Sequence, residues 1–120
     1  MPGILGIILA AQPANVQPAV MSMLSTLRHR ADFITGTERF DRFRSGAGWT
    51  CHPGAFADCM PAWNERRDVC LIFTGEHFST DGRLTLAGSS ASDTLNAASL
   101  VSLYEQLGDD FFLALNGTFS

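Results

Sequence analysis

Asp68-Val69-Cys70-Leu71-Ile72-Phe73-Thr74-Gly75-Glu76-His77-Phe78 is the stretch on which the reading of this chain turns. Val69 to Phe73 is an apolar, partly β-branched run, too short for a buried helix and too apolar for a surface strand. It reads as a strand covered on both faces and stopped at Thr74-Gly75-Glu76, where a turn glycine follows it. Such a strand presents a backbone turn and a carboxylate at the rim of a sheet. The question is what those groups bind.

Upstream, Asn64-Glu65-Arg66-Arg67-Asp68 is a charged turn that delivers the chain into this strand. Gly46, Gly48 and Trp49 mark Ser45–Cys51 as a strand with close backbone approaches. Phe33 to Phe43 alternates loosely, with Gly36 and Thr37 as a turn between two short strands. Before it, Val20, Met21, Leu24 and Leu27 recur at spacings of three and four, predicting a helix from about Gln17 to Arg28. Pro18 fits its first turn, where no N–H is missed. Met21 and Met23 read as core filling. Ile4 to Leu9 is a strand that begins almost at the amino terminus. Removal of Met1 before the small Pro2 leaves Pro2 as the first residue.

Downstream, Ser79 to Asp93 lacks periodicity and reads as a loop. Asp93 or Asn96 caps a second helix with the stripe Ala97, Leu100, Val101, Tyr104 and Leu107, which Gly108 stops. A short helix from Asp109-Asp110 turns Phe111, Phe112 and Leu115 inward and ends at Gly117. Thr118-Phe119-Ser120 reads as the opening of a further strand, so a fragment, truncated at its carboxy terminus, is expected.

The 120 residues, 46% hydrophobic, suffice for one core. With a net charge of −4, the eight Lys and Arg are scattered except for Arg39–Arg44 and Arg66-Arg67. That pattern lacks the concentrated basic stripe of a nucleic-acid groove. The apolar run Ile4 to Ala11 has no preceding basic residue and spans about half a bilayer, so neither anchor nor signal is expected. Three cysteines, an odd count, fit reduced thiols and a cytoplasmic protein.

The chemistry-bearing residues are few. Cys51, His52, Cys59 and His77 are zinc-ligand types, but only Cys51-His52 are close in sequence, so no metal site is expected. Cys70 reads as a small buried hydrophobe. No glycine-rich phosphate loop is present. An amino-terminal proline can act as a general base, as in the tautomerase superfamily, whose chains begin Met-Pro. That fold needs repeated β-α-β halves, which this chain does not display.

Three stretches together resemble the class II glutamine amidotransferase domain of asparagine synthetases. Met1-Pro2-Gly3-Ile4-Leu5-Gly6-Ile7 is similar to that family's opening, Met-Cys-Gly-Ile-x-Gly-Ile. Leu71 to Phe78 resembles its Val-Phe-Asn-Gly-Glu-Ile-Tyr strand and turn. Leu103-Tyr104-Glu105-Gln106-Leu107-Gly108-Asp109-Asp110-Phe111, with Leu115-Asn116-Gly117-Thr118-Phe119, resembles its Leu-Tyr-Glu-x-x-Gly-x-x-Phe and Leu-Asn-Gly-x-Phe-Ala segments. Arg28-His29-Arg30-Ala31-Asp32 is similar to its His-Arg-Gly-Pro-Asp. The matches keep the family's order and span almost the whole chain, the last being the most specific.

The resemblance implies an α+β chain with the four-layer αββα sandwich of N-terminal-nucleophile hydrolases. Residues 1–120 would be an incomplete amidotransferase type 2-like domain, with a carboxy-terminal synthetase domain of the same protein as partner. ATP and Mg²⁺ would serve only that domain, and a homodimer is compatible with it. In the family, an amino-terminal Cys hydrolyses glutamine and ammonia passes to the synthetase. Carried over by position, the nucleophile falls on Pro2, which has no thiol. The oxyanion-hole Asn falls on Thr74, while the Gly75 backbone N–H survives and Glu76 matches the family's Glu. The ammonium-binding Asp falls on Asn96. The carboxylate-binding Arg is expected near Trp49 to His52, where no arginine stands. The reading is therefore an asparagine synthetase-like chain with an inactive glutaminase and no catalytic residue of its own. A non-catalytic structural or ligand-binding module is the alternative.

Overall fold

A computed structural model describes residues 2–10, 15–78 and 96–120. The expected loop at 79–93, Asp93 as a cap and most of the connection from Gln12 lie outside the described residues. The chain is α+β, built from small antiparallel sheets and helices. Strand β1 (Gly3–Ile8), helix α1 (Val16–Leu27), strand β2 (Ile34–Phe40) and strand β3 (Ser45–Cys51) form the first unit. The sheet order is β1-β3-β2, both pairs antiparallel, with Gly3 opposite Thr50 and Ile34 opposite Cys51.

Helix α1 starts where the sequence allows a cap. Asn15 Oδ1 accepts from the Gln17 N–H at 3.0 Å, and Pro18 occupies the first turn. Val16, Val20 and Leu24, four residues apart, are its buried side chains. They form one ridge, and β3 offers a groove for it. A Cβ on Gly46 would lie 3.0 Å from Cγ2 of both Val16 and Val20, so the helix packs directly on glycine backbone. Because that ridge is narrow, Met21 and Met23 fall outside it, 51% and 42% exposed. The expectation that they fill the core is corrected.

Two short strands between Phe33 and Phe43 were expected, and β2 instead runs unbroken through Gly36 and Thr37. Gly36 is present for close approach, not for a turn, because the indole of Trp49 occupies the space where its Cβ would stand. The turn comes later. A 3₁₀ turn at Asp41–Phe43 and the left-handed Arg44 (φ 48°), whose N–H donates to the Asp41 carbonyl, join β2 to β3.

The stretch Val69–Phe73 is also corrected. Strand β5 is only Cys70–Leu71, paired with β4 (Ala62–Trp63) alone, and Val69 to Ile72 are half-buried. The Asn64 N–H bonds the Val69 carbonyl and Leu71 stands opposite Ala62, so the next hydrogen-bonded pair of this ladder would be Met60 with Phe73. The Phe73 N–H turns instead to the Met60 sulfur at 3.1 Å. Phe73 is buried in the second core with Ala57, Ala97, Leu100 and Phe111.

Thr74-Gly75-Glu76 is no turn either. Strand β6 (Gly75–His77) pairs antiparallel with β7 (Gly117–Phe119), and Thr74 already exchanges both backbone hydrogen bonds with Ser120, at 3.1 and 2.9 Å. Gly75 holds φ +119°, where a Cβ would collide with the Thr118 carbonyl oxygen. Helix α2 (Ser99–Leu107) ends at Gly108 (φ 56°) as expected, and α3 (Phe111–Ala114) buries Phe111. Phe112, expected inward, is 66% exposed, since the single turn of α3 has one buried face and Phe111 occupies it. Gly117 opens β7 and does not end a helix.

Candidate functional site

Pro2 is half-buried, directly before β1. The next residue is anchored: the Gly3 N–H donates to Oγ1 of the fully buried Thr50 at 3.0 Å. The start of the chain is thereby tied to the end of β3. Thr74, Gly75 and Glu76 belong to a different unit, the β6–β7 ribbon. In an antiparallel ladder alternate residues exchange both hydrogen bonds. Thr74 bonds Ser120 and the Phe78 N–H bonds Asn116, so the Gly75 N–H and C=O point away from β7. Among the described residues, the Gly75 N–H is a donor on the unpaired edge of the ribbon. Glu76 is exposed opposite Thr118.

Asn96 is exposed, and its side chain is engaged locally. Oδ1 accepts from the Ala98 N–H at 3.0 Å, while its carbonyl accepts from the Ser99 N–H and Oγ. This is an Asx turn just ahead of α2; the N-cap position of that helix is Ala98, with no side-chain cap, so the expected cap at Asn96 is corrected. Among the described residues, no hydrogen bond or strand pairing joins Pro2 to Thr74–Glu76 or to Asn96. Aromatic packing does connect the ribbon to the second core, with Phe73 stacked on Phe119 at 5.8 Å and meeting Phe56 edge-on at 5.7 Å.

The zinc-ligand types are dispersed. His52 packs edge-on against Phe33 at 4.7 Å, and His77 Nδ1 accepts from the Asn116 N–H at 3.2 Å. Among the described residues no group of three or more His, Cys, Asp or Glu is placed to hold a metal ion. No thiol is primed as a nucleophile. Burial pushes Cys51 and Cys59 above the ordinary thiol range, and burial, then Glu38, raises Cys70 to about 11. No helix among the described residues is long and apolar enough to cross a membrane.

Two features escaped the sequence reading. Asn64, 7% exposed, is a polar hub. Its Nδ2 donates to Asp68 at 2.6 Å and Glu105 at 2.7 Å, and its Oδ1 accepts from the Asp68 and Val69 N–H groups at 3.0 Å each. That hub closes the β4–β5 hairpin and ties it to α2. The second feature is a groove of about 540 Å³ where the two basic clusters, Arg39–Arg44 and Arg66-Arg67, converge. The clusters were visible in sequence; their meeting depends on the two turns being neighbours. A more apolar cavity of about 360 Å³ lies between β5, α2 and α3. Neither cavity is lined by Pro2, Thr74, Gly75, Glu76 or Asn96.

Compared with protein-family models, curated proteins and solved structures, the chain matches none.

Proposed function

We propose that this chain is the amidotransferase-like part of an asparagine synthetase-like protein, with a four-layer αββα architecture and no working glutaminase. Amide formation with ATP and Mg²⁺ would belong to a carboxy-terminal synthetase domain, and no residue of this chain is assigned to either group. The observation that carries the reading is Gly75. Its motif counterpart supplies an oxyanion donor, and here its N–H lies off the β6–β7 ladder, on an edge unpaired among the described residues. A strand starting at Gly3 and backed by α1 is the second support, since this fold class presents its amino terminus from a sheet.

The lost activity follows from side chains. Pro2 supplies no thiol for a glutamyl thioester, and proline cannot form that covalent intermediate. Thr74 lacks the amide donor of the family's Asn, and Asn96 lacks the carboxylate that would hold the substrate ammonium. Loss of one oxyanion donor alone costs about a hundred- to a thousandfold in rate. The expected chemistry of the whole protein is ATP-dependent amide formation from free ammonia or another amine.

The test is a nitrogen-donor comparison on the full-length protein, reading pyrophosphate and amide product. Ammonium should support turnover and glutamine should not. Equal support by glutamine would overturn the inactive-glutaminase reading; no ATP-dependent reaction with any amine would overturn the synthetase assignment. The Pro2 tautomerase reading gains no support from the sheets, whose pairings are antiparallel throughout the described residues. A β-α-β repeat makes parallel pairs.

A further inference from the structure

We propose that the groove between the β2–β3 turn and the β4–β5 turn binds a small carboxylate with an apolar ring, its oxyanion held by Arg42 and Arg67. The volume, about 540 Å³, is that of a small-molecule site. Its walls combine the rings of Phe40, Phe43 and Trp63 with the side chains of Arg39, Arg42 and Arg67.

The three arginines are not equivalent. Arg39 is already paired, its Nε and Nη2 donating to the two Asp41 oxygens at 2.9 and 3.0 Å. Arg42 and Arg67 have no carboxylate partner among the described residues. Each lies instead over an aromatic face: Arg42 is 5.8 Å from the Phe43 ring centroid and Arg67 is 5.1 Å from that of Trp63. Stacking engages the face of a guanidinium and leaves its in-plane N–H fork for an oxyanion. Arg67 is held at φ 55°, a backbone conformation uncommon outside glycine, so its placement is imposed by the hairpin.

Charge selects the ligand. Asp41 and Asp68 also line the groove, so its three arginines and two carboxylates leave a formal +1. Asp68 is engaged by the Asn64 amide, which turns it toward the hub. One carboxylate balances the remainder, whereas a phosphate dianion exceeds it. The apolar part of the ligand is set by Phe43, 67% exposed, and by Phe40. Trp63 adds an indole N–H that is buried and has no acceptor among the described residues. The groove stands apart from Gly75 and Pro2, so its role is independent of the amidotransferase reading.

The experiment is a titration of ¹⁵N-labelled protein with phenylacetate, reading the indole N–H resonances of Trp49 and Trp63. Trp63→Phe assigns the two signals. The Trp63 signal should move saturably with a dissociation constant of about 1 mM, typical of a small fragment, while the buried Trp49 signal stays in place. The neutral 2-phenylethanol should bind about tenfold more weakly, as should phenylacetate to Arg42→Gln or Arg67→Gln, because a charge-assisted pair is lost. The Trp49 signal reports whether each variant is folded, and Arg42, on an exposed turn, decides the matter if the Arg67 variant is not. Absence of saturation by about 20 mM, equal binding of the alcohol, or full affinity in folded Arg42→Gln would overturn the proposal. Tighter binding of inorganic phosphate than of phenylacetate would overturn the carboxylate assignment.

Discussion

Trp49 of β3 lies over Gly36 of β2. The two are directly paired across the sheet, and a Cβ added at Gly36 would fall within the indole, 2.9 Å from Nε1 and closer still to the ring carbons. Trp49 is 4% exposed and cannot swing aside without leaving the core. Gly36→Ala should therefore destabilise the protein by about 1–3 kcal/mol, the usual cost of overpacking. Gly6→Ala is the control in the same sheet, with nothing within 4 Å of its added Cβ and no positive φ. It should be neutral or stabilising by up to about 1 kcal/mol. Urea midpoints for both variants check the pair; equal losses would mean that the Trp49 contact is not what requires glycine at 36.

Asn64 should be the most sensitive polar position of the β4–β5 hairpin. Removing its amide strands the Asp68 and Val69 N–H groups and leaves Asp68 and Glu105 without their shared donor. Asn64→Ala should cost about 1–2 kcal/mol, since an orphaned group costs about 1–3 kcal/mol when buried and the partners here are half-buried or exposed. Glu105→Gln keeps an acceptor oxygen and lies on an exposed position, so it should stay within about 0.5 kcal/mol of the parent. Denaturation of both variants separates hydrogen-bond geometry from charge: a Glu105→Gln loss as large as that of Asn64→Ala would assign the hub to charge.

These two positions also show what the sequence could convey. Helix α1, strands β1 and β3, the stop at Gly108 and the inward Phe111 were legible because each depends on local periodicity or a cap. Gly36 and Gly75 were misread as turn glycines. A turn and a close crossing both call for glycine, and only the partner strand, carrying Trp49 or Thr118, distinguishes them. The apolar run Val69–Phe73 looked like a long strand because its composition is that of one. The limit on its length sits elsewhere, at Met60, whose sulfur and not its carbonyl takes the Phe73 N–H. Of the candidate site, the Asx turn at Asn96 follows from a local motif, whereas the direction of the Gly75 N–H follows from the β6–β7 register. The groove follows from two turns meeting, which no window of sequence contains.

Cys70 provides a pH test. Burial, then the Glu38 charge, raises its thiol to about 11. The folded state then holds its proton where an unfolded thiol, near 9.0, has released it. Stability from this group is complete below the unfolded value and is lost as pH rises from about 9 through about 11. Cys51 and Cys59, also raised, act in the same direction. The melting temperature should decline over that window, and Cys70→Ala should flatten the decline. Alkylation of Cys70 by iodoacetamide should keep rising about tenfold per pH unit up to near pH 10, since only the thiolate reacts. A plateau near pH 9 would place the thiol in water.

Pro2→Cys tests whether the nucleophile alone separates this chain from a working glutaminase. The substitution supplies a thiol beside an α-amine, next to a Gly3 N–H already fixed on Thr50. Nucleophile and base would then be present, but the remaining pocket would not. Thr74 has no amide donor and its backbone is consumed by Ser120, while the Asn96 amide oxygen is occupied by the Ala98 N–H. No arginine lies between Trp49 and His52 to hold the substrate carboxylate. With one oxyanion donor lost, at about a hundred- to a thousandfold, and both charged substrate contacts missing, glutamine is neither held nor activated. Ammonia release from glutamine by Pro2→Cys should match a heat-killed control. Release well above that control would show that the ribbon edge at Gly75 suffices as a pocket, and that Pro2 was the single barrier.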